Sequence, residues 1–295
     1  MGRPFLKMNG LGNDFVVVDA GSEPFSPGAE EVRAIADRFT GIGCDQLVAL
    51  EPSDHADARV RLWNADGGEV ERCGNAERCV AWLLMQASGR DEVRMEVGDR
   101  VIEASRAGEH AVTVDMGPPM LDWKDIPLSG PMDTLELDLH VEGAVGGPGA
   151  VSMGNPHVVF FVTDAEAVPV AALGPWFETH RRFPQRVNVG FAQVTTPDHM
   201  RLRVWERGAG LTRACGTGAC AAVVAAHRRG LAGRKVTVDV DGGALTVEWR
   251  EEDDHVLMTG PVEVEFTGRL PEALAHDSGD SDHEPIHQPD EEVAD

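Results

Sequence analysis

Cys73 and Cys215 occupy matching surroundings, one in each half of the chain. The first lies in Asn64-Ala-Asp-Gly-Gly-Glu-Val-Glu-Arg-Cys73-Gly-Asn75, the second in Glu206-Arg-Gly-Ala-Gly-Leu-Thr-Arg-Ala-Cys215-Gly-Thr217-Gly. Each cysteine follows a polar residue by nine positions, precedes a glycine, and opens a long apolar run that stops at Gly89 or Gly230. A thiol just before a helix start lies where unpaired backbone N–H groups and the helix dipole favour negative charge. Such a position is expected to lower its pKa and make the thiolate accessible. Two such thiols facing one another across a cleft form the arrangement that a two-base proton exchange needs. Glycine-flanked polar turns are also poor places to hide a core thiol, whereas Cys79 and Cys220, inside the apolar runs, and Cys44 read as small buried apolar residues.

Removing a proton alpha to a carboxylate builds charge on a carbon beside an existing anion. Without an electron-sink cofactor, the barrier must be lowered by donors preorganised around that carboxylate. Two helix N-termini converging on it would supply backbone N–H groups and two positive dipole ends. Gly74-Asn75 and Gly216-Thr217 offer such donors, and the glycines admit close approach of the backbone. A thiolate on one face would take the proton and a thiol on the other would return one, inverting the carbon.

The elements that must position these turns read as two similar halves. In the first, strands are expected at 14–19, 47–51, 58–63, 93–97, 101–104 and 111–115, with a helix near 30–39. The run 79–85 is apolar on every face, so its helix is expected to be buried all round. In the second half, strands are expected at 135–142, 157–162, 191–194, 200–205, 235–240, 244–249, 256–259 and 262–266. Helices are expected at 170–181 and over the small apolar residues 219–226. Helices do not alternate with strands, which excludes a parallel doubly wound sheet and favours sheets curled around central helices. The segment Met116-Gly-Pro-Pro-Met120 reads as the boundary between the halves.

The 295 residues suffice for two domains. No stretch approaches the roughly 18 apolar residues of a membrane helix, and the N-terminus lacks the pattern of a signal peptide. Five cysteines form an odd set without a CxxC, which disfavours a disulfide framework or a zinc site and fits a cytoplasmic protein. A net charge of −24 excludes the basic footprint of a nucleic-acid binder. Nine Asp or Glu and no Lys or Arg lie beyond Leu270, a composition expected to be a disordered, solvated tail. Gly10-Leu-Gly-Asn13 precedes a strand instead of following one, so it is not a dinucleotide loop.

Taken in order, Met8-Asn-Gly-Leu-Gly-Asn-Asp-Phe15, Gly41-Ile-Gly-Cys-Asp-Gln46, Asn64-Ala-Asp-Gly-Gly-Glu, Cys73-Gly-Asn, Gly154-Asn-Pro-His157, Arg186-Val-Asn188, Glu206-Arg-Gly-Ala-Gly and Ala214-Cys-Gly-Thr-Gly-Ala-Cys220 resemble the diaminopimelate epimerase family from Lys7 to about Phe266. The resemblance implies a cofactor-free isomerase acting on LL- and meso-diaminopimelate in lysine and cell-wall biosynthesis. It implies an α+β fold of two pseudo-symmetric domains, each a barrel-like, mostly antiparallel sheet around a buried helix, and a homodimer. Residues 1–117, joined by about 263–270, would form one domain, 118–262 the other, and 271–295 the tail. Cys73 and Cys215 would be the acid/base pair, with His157 and Glu206 tuning the thiols and no metal. Asn13, Gln46, Asn64, Asn155, Asn188, Glu206 and Arg207 would line the substrate pocket, with Gly74, Asn75, Gly216 and Thr217 at the carboxylate. A distal ammonium and carboxylate suit Glu206 and the planar fork of Arg207. Leu211 replaces an acid usual in the family, Cys44 stands where an aromatic is common, and Trp63 replaces the Phe usual before Asn64. The absence of tyrosine removes one often found at the dimer contact. Two other readings remain open: a proline or hydroxyproline racemase, which carries His where this chain has Asn75 and lacks the Glu206-Arg207 pair, and a redox-sensing binding protein that uses the same two thiols as a switch.

Overall fold

The computed structural model describes residues 2–70 and 73–271. The tail from residue 272 onward, and with it the expectation of disorder there, lies outside the described residues. The first half runs β1 (Pro4–Gly10), β2 (Asn13–Asp19), α1 (Ala29–Ala36), β3 (Gln46–Glu51), β4 (Ala58–Asn64), β5 (Glu69–Val70), α2 (Gly74–Ser88), β6 (Glu92–Val97), β7 (Arg100–Gly108) and β8 (Ala111–Asp115). The second runs β9 (Gly149–Ser152), β10 (Pro156–Phe161), α3 (Val170–Glu178), β11 (Asn188–Thr196), β12 (His199–Glu206), β13 (Gly210–Thr212), α4 (Gly216–Arg228), β14 (Lys235–Val240), β15 (Gly243–Trp249), β16 (Val256–Pro261) and β17 (Glu263–Arg269).

All the strands join one sheet, and its pairing order shows the duplication. Outward from the central antiparallel pair β8–β16, one arm passes through β7, β6, β4, β3, β2 and β1. The other passes through β15, β14, β12, β11, β10 and β9. The parallel pairs fall at equivalent places, β4–β6 with β12–β14 and β2–β3 with β10–β11, and all others are antiparallel. Short strands β5 and β13 hang on β4 and β12. Only β17 breaks the correspondence, crossing back to pair with β1. The sheet stays open, because its outermost strands β17 and β9 do not pair with each other.

Each arm curls around one helix, and the two enclosures differ. Strands β9 to β12 and β14 to β16 pack on α4, whose residues Gly218 to Ala226 are all buried. Packing on α2 comes from β1, β2 and β6 to β8, and Trp82, Leu83 and Leu84 remain half-buried. The expectation that the first apolar helix is buried all round therefore fails over one turn: bulky side chains there cover the rim of the core instead of filling it. The helices touch one another, and Cys79 and Cys220 are fully buried in the shared core, as expected of small apolar residues. Gly89 caps α2 at φ 70°, and Gly230, just past the Arg229 cap of α4, stands at φ 67°, left-handed backbone where an added Cβ is strained.

Other differences have local causes. No strand forms over 135–142: Leu137 and Leu139 enter the core at alternate positions, but the Leu139 amide bonds back to the Leu137 carbonyl. Only scattered backbone bonds, Leu137 to Pro148 and Ala150 to Thr134, tie that segment to the following one. The ladder forms instead at β9. Helix α1 stops at Ala36, where Asp37 caps the turn of Phe39 and Thr40 through its carboxylate. Helix α3 stops at Glu178.

Candidate active site

Each helix inside the curled sheet starts with a cysteine as its N-cap. Cys73 precedes α2 and Cys215 precedes α4, both in extended backbone. The first intrahelical bonds run from the Glu77 and Ala219 amides to the Cys73 and Cys215 carbonyls. Both thiols and both glycines behind them line one cavity of about 1170 Å³ between the halves. The helix starts are packed back to back on Met258. A Cβ at Gly216 would lie 2.7 Å from the Met258 sulfur, and one at Gly74 would lie 3.0 Å from its methyl carbon. Glycine at both positions lets the backbone approach Met258 closely.

The two thiols have different neighbours. Cys73 Sγ donates to Asn13 Oδ1 at 3.5 Å, and the Asn75 amide donates to the same oxygen at 3.3 Å and to the Ala214 carbonyl at 3.3 Å. Cys215 Sγ stands 3.7 Å from the Thr217 hydroxyl and within electrostatic reach of Glu206, whose carboxylate accepts from the Thr212 hydroxyl at 2.5 Å. One thiol thus rests on a neutral amide and the other on a carboxylate. Cys73 is half-buried and Cys215 buried.

The expected lowering of the thiol pKa is not found. Burial pushes Cys73 up to about 12, with the Ala76 and Asn75 amides pulling down and Glu206 and Glu77 pushing up. Burial also pushes Cys215 well above the usual thiol range, Glu206 adding to it while Thr217 and the Gly218 amide oppose it. The helix amides act in the expected direction, but desolvation of the thiolate outweighs them. Burial therefore favours the protonated thiol at both positions.

The remaining expected residues sort by contact. Gln46 and Asn64 join side chain to side chain at 2.9 Å on neighbouring strands β3 and β4 and face the cavity. Asn155 donates to Thr217 at 3.2 Å, tying the β9–β10 turn to the start of α4. Asn188 donates to the Pro156 carbonyl and accepts from the Arg207 amide, so it fixes backbone on both sides of the cavity. Arg207 itself gives one guanidinium nitrogen to the Gln185 carbonyl at 3.2 Å. All of these line the cavity, as do Asn13, Asn75 and Glu206. His157 does not: it is buried, its Nε2 meets Asn155 Oδ1 at 2.9 Å, and burial followed by the Arg207 charge lowers its pKa to about 3. Among the described residues its hydrogen bond goes to Asn155, and its lowered pKa favours the neutral ring.

Several lining residues were not foreseen. Thr212 on β13 reaches Glu206 on β12 only because the two strands pair. Asp45 accepts from the Asn13 amide at 2.9 Å, and Arg38 clamps both Asp14 and Asp45. The Gly-x-Gly-x-Asp spacing before Gln46 was the available signal for Asp45.

The open, duplicated sheet around two helices is a fold shared with other solved structures. It matches a phenazine biosynthesis protein of the PhzF family from Bacillus anthracis with a TM-score of 0.68 at 15% identity, covering 92% of this chain and 99% of that one. A probable proline racemase from Agrobacterium radiobacter matches with a TM-score of 0.64 at 16% identity, covering 91% and 93%. Sequence narrows the class. The diaminopimelate epimerase family model matches residues 5–121 and 149–265, and the chain belongs to that family. The diaminopimelate epimerase of Phenylobacterium zucineum is 65% identical over 92% of this chain and 99% of its own. That of Caulobacter sp. strain K31 is 55% identical over 93% and 100%.

Proposed function

We propose that this enzyme interconverts LL- and meso-diaminopimelate by exchanging a proton between Cys73 and Cys215 across one α-carbon, in lysine and peptidoglycan-precursor biosynthesis. The observation that carries the reading is the pair of cysteine N-caps on two helices that open into one cavity. The reacting carboxylate lies against the helix starts at Gly74-Asn75 and Gly216-Thr217, whose amides and dipoles meet the charge that develops on its oxygens. Glu206 accepts the proton released by Cys215, which lets that thiol act as base, while Cys73 stays a thiol on the opposite face and supplies the returning proton. The reverse reaction exchanges these roles. The two side chains supply both halves of the acid–base chemistry, so the proposal includes no cofactor or metal.

The far end of the substrate carries an ammonium and a carboxylate, which Asn64, Asn155, Asn188 and the Arg207 fork would hold. A buried site built for those groups penalises ligands lacking them by roughly 10⁴-fold, because its own polar groups stay unpaired. This separates the reading from a proline or hydroxyproline racemase of the same fold. Turnover of diaminopimelate without added pyridoxal phosphate, with lysine a very poor substrate and proline inert, is the expected result. Comparable kcat/KM for proline and diaminopimelate contradicts it. Arg207→Lys should lose most of kcat/KM despite keeping the charge, since the planar fork is lost.

The division into residues 1–117 with 263–270 and residues 118–262 is proposed on the same footing, supported by the two arms of the sheet and the return of β17 to β1. A cytoplasmic homodimer is also proposed. Among the described residues no helix is long and apolar enough to cross a membrane, and Val264 and Phe266 expose apolar surface on β17.

A further inference from the structure

Asn13 can face Cys73 in either of two ways, and its neighbours decide between them. On one side Asp45 Oδ2 accepts from Asn13 Nδ2 at 2.9 Å. On the other, Asn75 Nδ2 donates to Asn13 Oδ1, and Asn75 is itself held by the Ala214 carbonyl. A carboxylate accepts only and a backbone carbonyl accepts only, so the orientations of both amides follow from fixed groups at the two ends. Turning the Asn13 amide over would set its oxygen against Asp45 and its NH2 against that of Asn75. Asp45 is in turn fixed by Arg38 Nη2 at 2.7 Å and by the Asp14 amide at 3.1 Å. Arg38 also bonds Asp14, which pairs with the buried Lys7.

We infer that Asp45 is a positioning residue for the epimerisation: it holds the Asn13 carbonyl toward Cys73 Sγ, so that the acceptor favours the protonated thiol and makes Cys73 the resting acid of the pair. The Asp45 carboxylate makes no contact with either thiol in the hydrogen-bond network and acts through Asn13. The role rests on the reading of Cys73 as one of the two bases. It separates the two halves by their acceptors, because the one beside Cys215 is a carboxylate able to take the proton, whereas an amide carbonyl beside Cys73 is not. Among the described residues, the charged groups around Cys73 are Glu206 from the other half and Glu77 and Arg78 on its own helix. Those around Asp45 are Arg38 and Asp14, with Lys7 behind them.

The test is the pH dependence of iodoacetamide alkylation at Cys73 and Cys215, read separately by peptide mapping, in the wild type, Asp45→Ala and Asp45→Asn. In Asp45→Ala only Asn75 still orients the Asn13 amide, so Nδ2 turns toward the sulfur more readily, which favours the thiolate. Cys73 should then alkylate roughly three- to tenfold faster at a given pH below its midpoint, the size of one hydrogen bond gained or lost. Its titration should move to lower pH while that of Cys215 stays put. Asp45→Asn removes the charge but can still offer a side-chain oxygen to Asn13 Nδ2, so its Cys73 profile should follow the wild type. Equal shifts in both variants would assign the effect to charge alone, and an unmoved Cys73 midpoint in Asp45→Ala, or equal shifts at both thiols, would overturn the role. The alkylation readout does not need turnover. Normal epimerisation by Cys73→Ala would instead sink the two-base reading and leave the alkylation result standing.

Discussion

The turns at Cys73 and Cys215 share a backbone plan and differ in what surrounds it. Each cysteine caps a helix, each is followed by a glycine pressed on Met258, and a left-handed glycine stands at or just past the end of each helix. Cys73 is nevertheless half-buried on a helix with one looser turn, and its sulfur faces a neutral amide. Cys215 caps a helix of small residues closed in by strands on all sides, and its sulfur faces Glu206 and Thr217. Duplication supplied two equivalent positions for a thiol. The side chains that pair across the strands then made their surroundings inequivalent, with a carboxylate near one and an amide at the other.

The largest expected effect comes from removing either thiol. Cys73→Ala and Cys215→Ala should each reduce kcat/KM by roughly 10³-fold or more, the scale of a lost acid or base. Serine in either place should fall severely too, its hydroxyl being a far weaker base than a thiolate. Near-normal turnover by Cys215→Ala would break the comparison at once, since one thiol would then suffice.

A smaller effect sharpens the same comparison at the glycines. A methyl at Gly216 meets the Met258 sulfur at 2.7 Å, whereas one at Gly74 meets the methyl end of that flexible side chain at 3.0 Å. Gly216→Ala should therefore cost about 1–3 kcal/mol of stability, as overpacking does, and Gly74→Ala less. Thermal melts of the two variants check the order; a larger loss at Gly74 would show that the α2 start is the tighter of the two.

Much of this was legible because it is local. The cysteine–glycine turns, the glycine stops and the hairpins β6–β7 and β14–β15 are each specified within a few residues, and the hairpin turns close with Val97 opposite Arg100 and Val240 opposite Gly243. What depends on the other half of the chain was not legible. Helix amides favour a thiolate, but the enclosure that outweighs them is assembled from strands far apart in sequence. His157 stands in a motif beside Asn155, and only the fold shows that it is buried and hydrogen-bonded to that residue. Leu137 and Leu139 alternate as a strand would, yet their backbone finds no neighbouring ladder. The first strand, β1, lay hidden under the Met8-Asn-Gly motif, and its partners are β2 and the last strand β17.

The central claim is that two different groups, on opposite faces of one carbon, remove and return the proton. Incubating LL-diaminopimelate with the enzyme in D2O and analysing both diastereomers at low conversion tests it directly. Two bases give meso product carrying one deuterium at the inverted carbon, delivered by a thiol that has exchanged with solvent, while the unreacted LL pool stays unlabelled. Meso product that keeps the original hydrogen, or deuterium entering the LL pool as fast as the product, would mean that a single group serves both faces and would contradict the account.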